Sequence, residues 1–463
     1  MKLLNILLAS ALIAVSPAPT WGNTPPTTDA ATFETRLANG LKVIVKEDHR
    51  APTAVHMVWY KNGSIDERDG LTGVAHVLEH LMFKGTRTTK PGEFNKRVAE
   101  AGGRDNAFTS SDYTAYFQII PKRALPEMMR LEADRMRNLV FDPKEFAAEI
   151  KVVMEERRWR TEDNPEAKTY EAMEATAFMV HPYRRPVIGW MDDLQAMRWQ
   201  DARDWYRQWY APNNATVVIV GDVKHEQVFA LAEKYYGVHK PMATQRTRIL
   251  NEPPQVGTRR VTVKAPAKLP YLLMSWKVPT LREPEKDREP YALQMLAAVL
   301  DGHAAARLGR ELVREARVAQ SAGAGYDATV RGDSLFTLSG QPAEGRSVTE
   351  LEAALREALG RIQTKGISEE ELARVKVQAV AAQTYKRDSL MAQAMEIGGM
   401  EAVGFSWRDD QRMLEIFKSV TAAEVQAVAN KYFGDDTLTV ATLDPQPIDS
   451  QANPLLRRPA LKH

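Results

Sequence analysis

The sequence predicts an α+β protein of two similar domains, each a largely antiparallel sheet with helices packed on one face. Three observations carry that expectation. The chain has 463 residues, more than one domain usually holds and suited to two or three. Strand-like runs alternate with stretches of helical spacing along its whole length. A unit from mid-chain also returns near the end. "WQDARDWYRQWYAPNNATVVIVGD" (199–222) parallels "TAAEVQAVANKYFGDDTLTVATLD" (421–444) at an offset of 222 residues. Each is a helix, a polar turn and an apolar strand ending in Asp. Trp59 in "HMVWYKNGS" and Trp276 in "LMSWKVPTL" align at an offset of 217. Two matches at nearly one offset favour duplication over coincidence.

Taken in order, the chain opens on "MKLLNILLASALIAVSPAPTWGNTPP". Lys2 supplies a positive start, Leu3 to Val15 an apolar run, and Thr20 and Gly22 small residues at a cleavage site. This is the pattern of a secretory signal peptide over 1–22, so a periplasmic or secreted protein is expected. The run is shorter than the roughly 20 residues of a bilayer span, and no later segment is apolar enough. The mature chain is therefore expected to have no transmembrane span.

"LKVIVKED" and "TAVHMVWYKNG" read as a strand pair, and "YTAYFQIIP" as a further strand. "RALPEMMRLEADRMRNLV" and "PKEFAAEIKVVMEERRWR" carry helical spacing, the second starting at Pro143 behind Asp142 as N-cap. "HKPMATQRTRILNEPPQVGTRR" is Pro-containing, basic and aperiodic, and marks the junction. The expected division is a 23–240 domain, a 241–257 linker, a 258–447 domain and a 448–463 tail.

Composition narrows the function. Lys+Arg 62 against Asp+Glu 60 leaves little net charge, and no block of like charge supports a nucleic-acid partner. Cysteine is absent. That excludes disulfides, thiol catalysis and Cys-held zinc, so any metal must sit on His and carboxylates.

Such a set is present in "LTGVAHVLEHLMF". On a helix, His76 and His80 are i, i+4 neighbours able to grip one ion, and Glu79 reaches the same side without being forced into the coordination shell. This is the HxxEH arrangement, the reverse of HExxH. The competing explanation is a polar edge on a core helix. Following the repeat, His76 and His80 fall on Leu293 and Ala297 of "YALQMLAAVLDG", so the second copy keeps the helix without the histidines. A catalytic zinc needs a third protein ligand, and "FAAEIKVVMEERRW" offers Glu149, Glu155 and Glu156. Glu149 and Glu156 share a helical face, with Glu155 about a hundred degrees away.

Together these residues resemble the pitrilysin/insulinase family of zinc peptidases, in the short form related to mitochondrial processing peptidase. In that family a glutamate ligand follows the second histidine by about 76 residues, with another important glutamate seven before it. Glu156 stands 76 beyond His80, and Glu149 seven before Glu156. "GGRDNAFTSSDYTAYF", "HPYRRPVIG" and "YAPNNATVVIVGDV" match as well. The resemblance spans essentially the whole mature chain. It implies one Zn2+ per chain on His76, His80 and Glu156, Glu79 as general base, and Glu149 as support behind the ligands. It implies that "DNAFTS" pairs with extended substrate through Asn106, Ala107, Phe108 and Thr109. The alternation of Tyr113, Ala115 and Phe117 suits an edge that accepts an added strand.

The implied activity is zinc-dependent endopeptidase action on peptides or unfolded segments. The alternative is a non-catalytic assembly or peptide-binding subunit, a class that typically loses the histidines or base that this chain keeps. One departure stands out. Relatives carry an Arg–Tyr pair seven residues apart that holds substrate over the zinc. Here Arg314 is present, but seven residues on is Ser321, with Tyr326 nearby at the wrong spacing. Full-length relatives enclose substrate between two halves of a clamshell, each of two domains. This chain supplies one half, and the resemblance implies a related exported subunit that lacks HxxEH and brings the Arg–Tyr pair, or else a homodimer.

Overall fold

The computed structural model describes residues 31–448 other than 245 and 247. The expected signal peptide (1–22) lies outside them, as does the tail beyond 448. The described residues form an α+β structure with two sheets. The first contains β1 (Thr32–Arg36), β2 (Lys42–Glu47), β3 (Thr53–Tyr60), β4 (Arg104–Thr109), β5 (Thr114–Pro121) and β6 (Ala215–Gly221), in the order β1-β2-β6-β3-β5-β4. The second contains β7 (Arg259–Pro266), β8 (Tyr271–Val278), β9 (Ala319–Gly325), β10 (Ser334–Pro342) and β11 (Leu438–Gln446), in the order β7-β11-β8-β10-β9.

The repeat is plain in these orders. β7, β11, β8, β10 and β9 take the places of β2, β6, β3, β5 and β4, and β1 alone has no counterpart. Trp59 on β3 and Trp276 on β8 are both buried, but on opposite faces: Trp59 packs under the Leu390–Val403 helix and Trp276 under the helices of its own half. The sequence match at these tryptophans is therefore one residue out of register with the sheets. The Glu289–Asp301 helix takes the place of Val74–Leu81, and its Leu293 and Ala297 are simply core.

Two expectations need correcting. β2 and β3 are not neighbours, because β6 runs between them, parallel to β2 and antiparallel to β3. All seven residues of β6 are buried, as an interior strand with two covered faces requires. β11 enters the second sheet the same way, parallel to β7. Tyr113, Ala115 and Phe117 also do not mark an edge. β5 pairs with β3 on one side and β4 on the other, which uses its backbone groups in both directions. The edge on this side of the sheet is β4.

Each sheet carries the helices of its own half on one face, as expected, and its other face is covered by a helix exchanged from the opposite half. Ile44, Val55, Met57, Trp59, Val218 and Val220 on the first sheet pack against Ala394, Ile397 and Ala402 of the Leu390–Val403 helix. That helix comes within van der Waals reach only because residue 398 is glycine: a Cβ there would lie 2.0 Å from Trp59 Nε1. In return, Met173 and Ala177 of the Pro165–Ala177 helix pack on Leu273 and Ala441 of the second sheet.

Candidate active site

The Val74–Leu81 helix presents Val74, Ala75, Val77, Leu78 and Leu81 to the core. His76, Glu79 and His80 line the cleft. Its first turn is fixed from two directions. Glu67, fully buried, accepts the Gly73 and Ala75 amides at 2.8 and 2.9 Å, satisfying donors that have no partner within the helix. Gly73 and Gly189 both hold positive φ, +82° and +87°, where their backbones cross. A Cβ on either would lie 2.5 Å from a carbonyl oxygen of the other strand, Ile188 or Thr72. The crossing brings Val187 and Ile188 beside the histidines as part of the cleft wall.

The second contributor is the Pro143–Arg157 helix, which starts as expected, with Asp142 accepting the Lys144 amide at 2.7 Å. Glu156 Oε2 lies 3.3 Å from His80 Nε2 and 3.8 Å from His76 Nε2. Zinc–nitrogen and zinc–oxygen bonds of about 2.0–2.2 Å in a tetrahedron put ligand atoms roughly 3.3–3.6 Å apart. The three side chains therefore fit one zinc ion with little adjustment. Glu155 points away, paired with Arg158 at 2.7 Å in solvent.

Glu149 sits behind His80. Its Oε1 is 2.8 Å from His80 Nδ1, and its Oε2 takes Lys84 at 2.5 Å. The contact turns the other ring nitrogen of His80 toward Glu156, the usual way a carboxylate fixes a ligating imidazole. Glu79 accepts the Thr109 hydroxyl on Oε2 at 2.6 Å.

The electrostatics separate the roles. Burial, then the nearby His80 and Arg160, pushes the His76 imidazole down to about 3, which keeps it neutral as a metal ligand must be. Burial opposes a charge on His80, but its hydrogen bond to Glu149 and the Glu79 and Glu156 carboxylates together raise it. Burial would raise Glu149 too, yet His80 and Lys84 hold it below the usual carboxylate range. Burial raises Glu79, only partly offset by Thr109, and a raised carboxyl is the better proton acceptor near neutral pH.

The cleft holds about 410 Å³, with Asn106, Ala107, Phe108 and Thr109 of β4 along one side. Arg160 and Thr161 close another side, from a π-helical turn at Arg158–Glu162. Arg160 Nη1 lies 2.8 Å from Glu156 Oε1. The sequence reading missed Arg160, although its i+4 spacing from Glu156 was a usable signal. Arg314 and Ser321 are not brought to this cleft: Arg314 is exposed on the Gly309–Glu315 turn, and Ser321 lies on β9 opposite Gln341. The Tyr326 hydroxyl donates to the Pro279 carbonyl. A second trio, Glu47, His225 and Glu226, also brings three ligand-type atoms together. There, Glu47 Oε1 accepts the His225 amide at 2.8 Å and faces its Nδ1 at 2.8 Å, so the carboxylate caps a helix.

Duplicated sheets around an HxxEH helix, with Glu156 of the Pro143–Arg157 helix beside its two histidines, are the arrangement of the inverted zinc-peptidase class. The profile described as Insulinase (Peptidase family M16) matches residues 42–190, and that of the peptidase M16 inactive domain matches 198–379. The chain belongs to the insulinase, or M16, family of zinc proteases. It is 33% identical over 421 residues to the zinc protease PqqE of Helicobacter pylori, covering 88% of this chain and 92% of that one. An uncharacterized zinc protease of Streptomyces coelicolor is 27% identical over 413 residues, 86% of this chain and 87% of that one. The crystal structure of a protease from Helicobacter pylori superposes with a TM-score of 0.85 at 30% identity, covering 89% of this chain and 99% of that chain. The periplasmic protease PqqL from Escherichia coli shares the fold, with a TM-score of 0.77 at 19% identity over 93% of this chain and 50% of that chain.

Proposed function

We propose that the chain is an exported zinc endopeptidase acting on peptides or unfolded protein segments. The observation that carries this is the convergence of His76 Nε2, His80 Nε2 and Glu156 Oε2 beside a Glu79 carboxylate held, among the described residues, through Oε2. His76, His80 and Glu156 would hold one Zn2+, which when bound acidifies water and polarises a carbonyl. Thr109 anchors Glu79 Oε2, leaving Oε1 to take a proton from the attacking water and pass it to the departing amine. Asn106, Ala107, Phe108 and Thr109 lie on a sheet edge, where an extended peptide adds as a strand. Export rests on the N-terminal pattern. Among the described residues no helix is long and apolar enough to cross a membrane, and the PqqL relative is named periplasmic. The test is cleavage of an unstructured peptide by zinc-loaded protein. A loaded chain that binds peptide but never cleaves it, alone or with a partner, would favour the non-catalytic alternative.

Glu149→Gln is expected to weaken zinc binding by roughly 10–100-fold, the usual cost of losing a partner behind a ligand. At saturating zinc it should lose less activity than Glu79→Gln. Competition against a chelator of known affinity measures the first, and an unchanged affinity would remove Glu149 from this role.

The working unit is proposed to be two chains, since this one spans half the length of PqqL. Arg314 lacks a tyrosine at the Ser321 position, which favours a sister chain that brings the complete pair over a homodimer. Ser321→Tyr, or addition of such a chain, is then expected to raise peptidase activity. A wild-type homodimer that is fully active and gains from neither would defeat the proposal.

A further inference from the structure

Arg331 and Gly332 of the second half reach the turn that follows the β4 edge of the candidate site. Arg331, in the loop between β9 and β10, forms a two-pronged pair with Asp66, at 2.7 and 2.8 Å. Both side chains are nearly removed from solvent, 10% and 2% exposed. Arg331 also holds Asp112: its amide donates to Asp112 Oδ2 and its Nη1 to the Asp112 carbonyl, both at 3.2 Å. The Tyr183 hydroxyl donates to Asp112 Oδ1 at 2.7 Å and accepts the Gly332 amide at 3.0 Å. Asp112 is the tip of the β4–β5 turn. The Asp66 segment clasps that turn from its other side, with the Ile65 amide on the Ser111 carbonyl at 2.9 Å. The turn begins immediately after Thr109, whose hydroxyl holds Glu79.

We infer that Arg331 is a positioning residue for Glu79: it fixes the turn at 110–113, and through it the Thr109 hydroxyl and the substrate-bearing edge of β4. This rests on the reading of Glu79 as the base. The half whose profile is labelled inactive would then be a working part of the site. The Arg331 pair is too buried to be a surface decoration, since charges are rarely buried except as partners. Removing one partner would strand a charge, so the safer variant neutralises both, Asp66→Asn with Arg331→Met. The Asn oxygen can still accept the Gly63 amide, which Asp66 Oδ2 now takes at 3.2 Å.

The experiment compares full-length, zinc-loaded wild type, the Asp66→Asn/Arg331→Met pair, Thr109→Val and the triple variant. Zinc content is expected to stay at the wild-type value. Amide hydrogen exchange across 106–113 should quicken roughly tenfold in the paired variant, as a locally freed segment does. On an unstructured peptide, kcat should fall about 10- to 100-fold, the cost of a small misplacement transmitted to the chemistry. Thr109→Val should cause a similar fall, and the triple variant no further one, because both act through one contact. Unchanged exchange at 106–113, or kcat losses that multiply, would overturn the inference. If wild type cleaves no peptide, the proposed function fails, while the exchange measurement still decides whether Arg331 holds the turn.

Discussion

Glu79→Gln is expected to keep its zinc and lose peptidase activity by roughly 10²–10⁴-fold, the usual contribution of a positioned base. The substitution keeps the shape and leaves an amide oxygen to accept the Thr109 hydroxyl, now bonded to Oε2 at 2.6 Å. What it removes is the ability to take a proton. Because Glu79 is not among the three side chains whose ligand atoms converge, metal content should not change. The separation of the two readouts is the point of the experiment. Turnover near wild type would mean that another group activates the water. Loss of zinc with activity would make Glu79 a ligand.

The His76→Ala, His80→Ala double variant is expected to lose both zinc and activity. Glu156 alone cannot hold the ion, since imidazole and carboxylate must act together to reach the three ligands of a catalytic zinc. The effect should extend to stability. A ligand present at about a thousand times its dissociation constant stabilises the folded state by roughly 4 kcal/mol, so wild type should melt at a higher temperature with zinc than with a chelator. The double variant should melt at one temperature in both. Full zinc occupancy in this variant, by metal analysis of the purified chain, would sink the assignment of the site.

Much of the candidate site was legible because its signals are local. The i, i+4 spacing of the histidines and the i, i+7 spacing of Glu149 and Glu156 survive folding unchanged, since helices preserve short-range geometry. The duplication was legible because both copies keep a helix, a polar turn and an apolar strand in one order. Strand adjacency was not. β2 and β3 are consecutive, and nothing in either reveals that β6, far along the chain, lies between them. The alternation at Tyr113, Ala115 and Phe117 misled for a related reason. Alternation reports the two faces of a strand, not whether its backbone is paired on one side or both. Arg160 and the contact from Thr109 to Glu79 escaped because each side chain reads as ordinary surface polarity until the fold brings a carboxylate to it. Arg331 was beyond sequence reading altogether, since its partners Asp66 and Asp112 belong to the other half.

The exchanged helices set an order of events during synthesis. The outer face of the first sheet, with Trp59, Met57 and Val218, stays open to water until the segment at Leu390–Val403 arrives. A chain emerging from its N-terminus therefore carries the whole candidate metal-binding set for most of its synthesis without the cover that completes it. Until then an apolar sheet face is available to other chains, the condition under which partly made proteins aggregate. Maturation should thus come late and all at once, governed by arrival of the Leu390–Val403 helix. A shortened chain that ends before residue 390 should accumulate as insoluble material despite containing every residue of the candidate metal site.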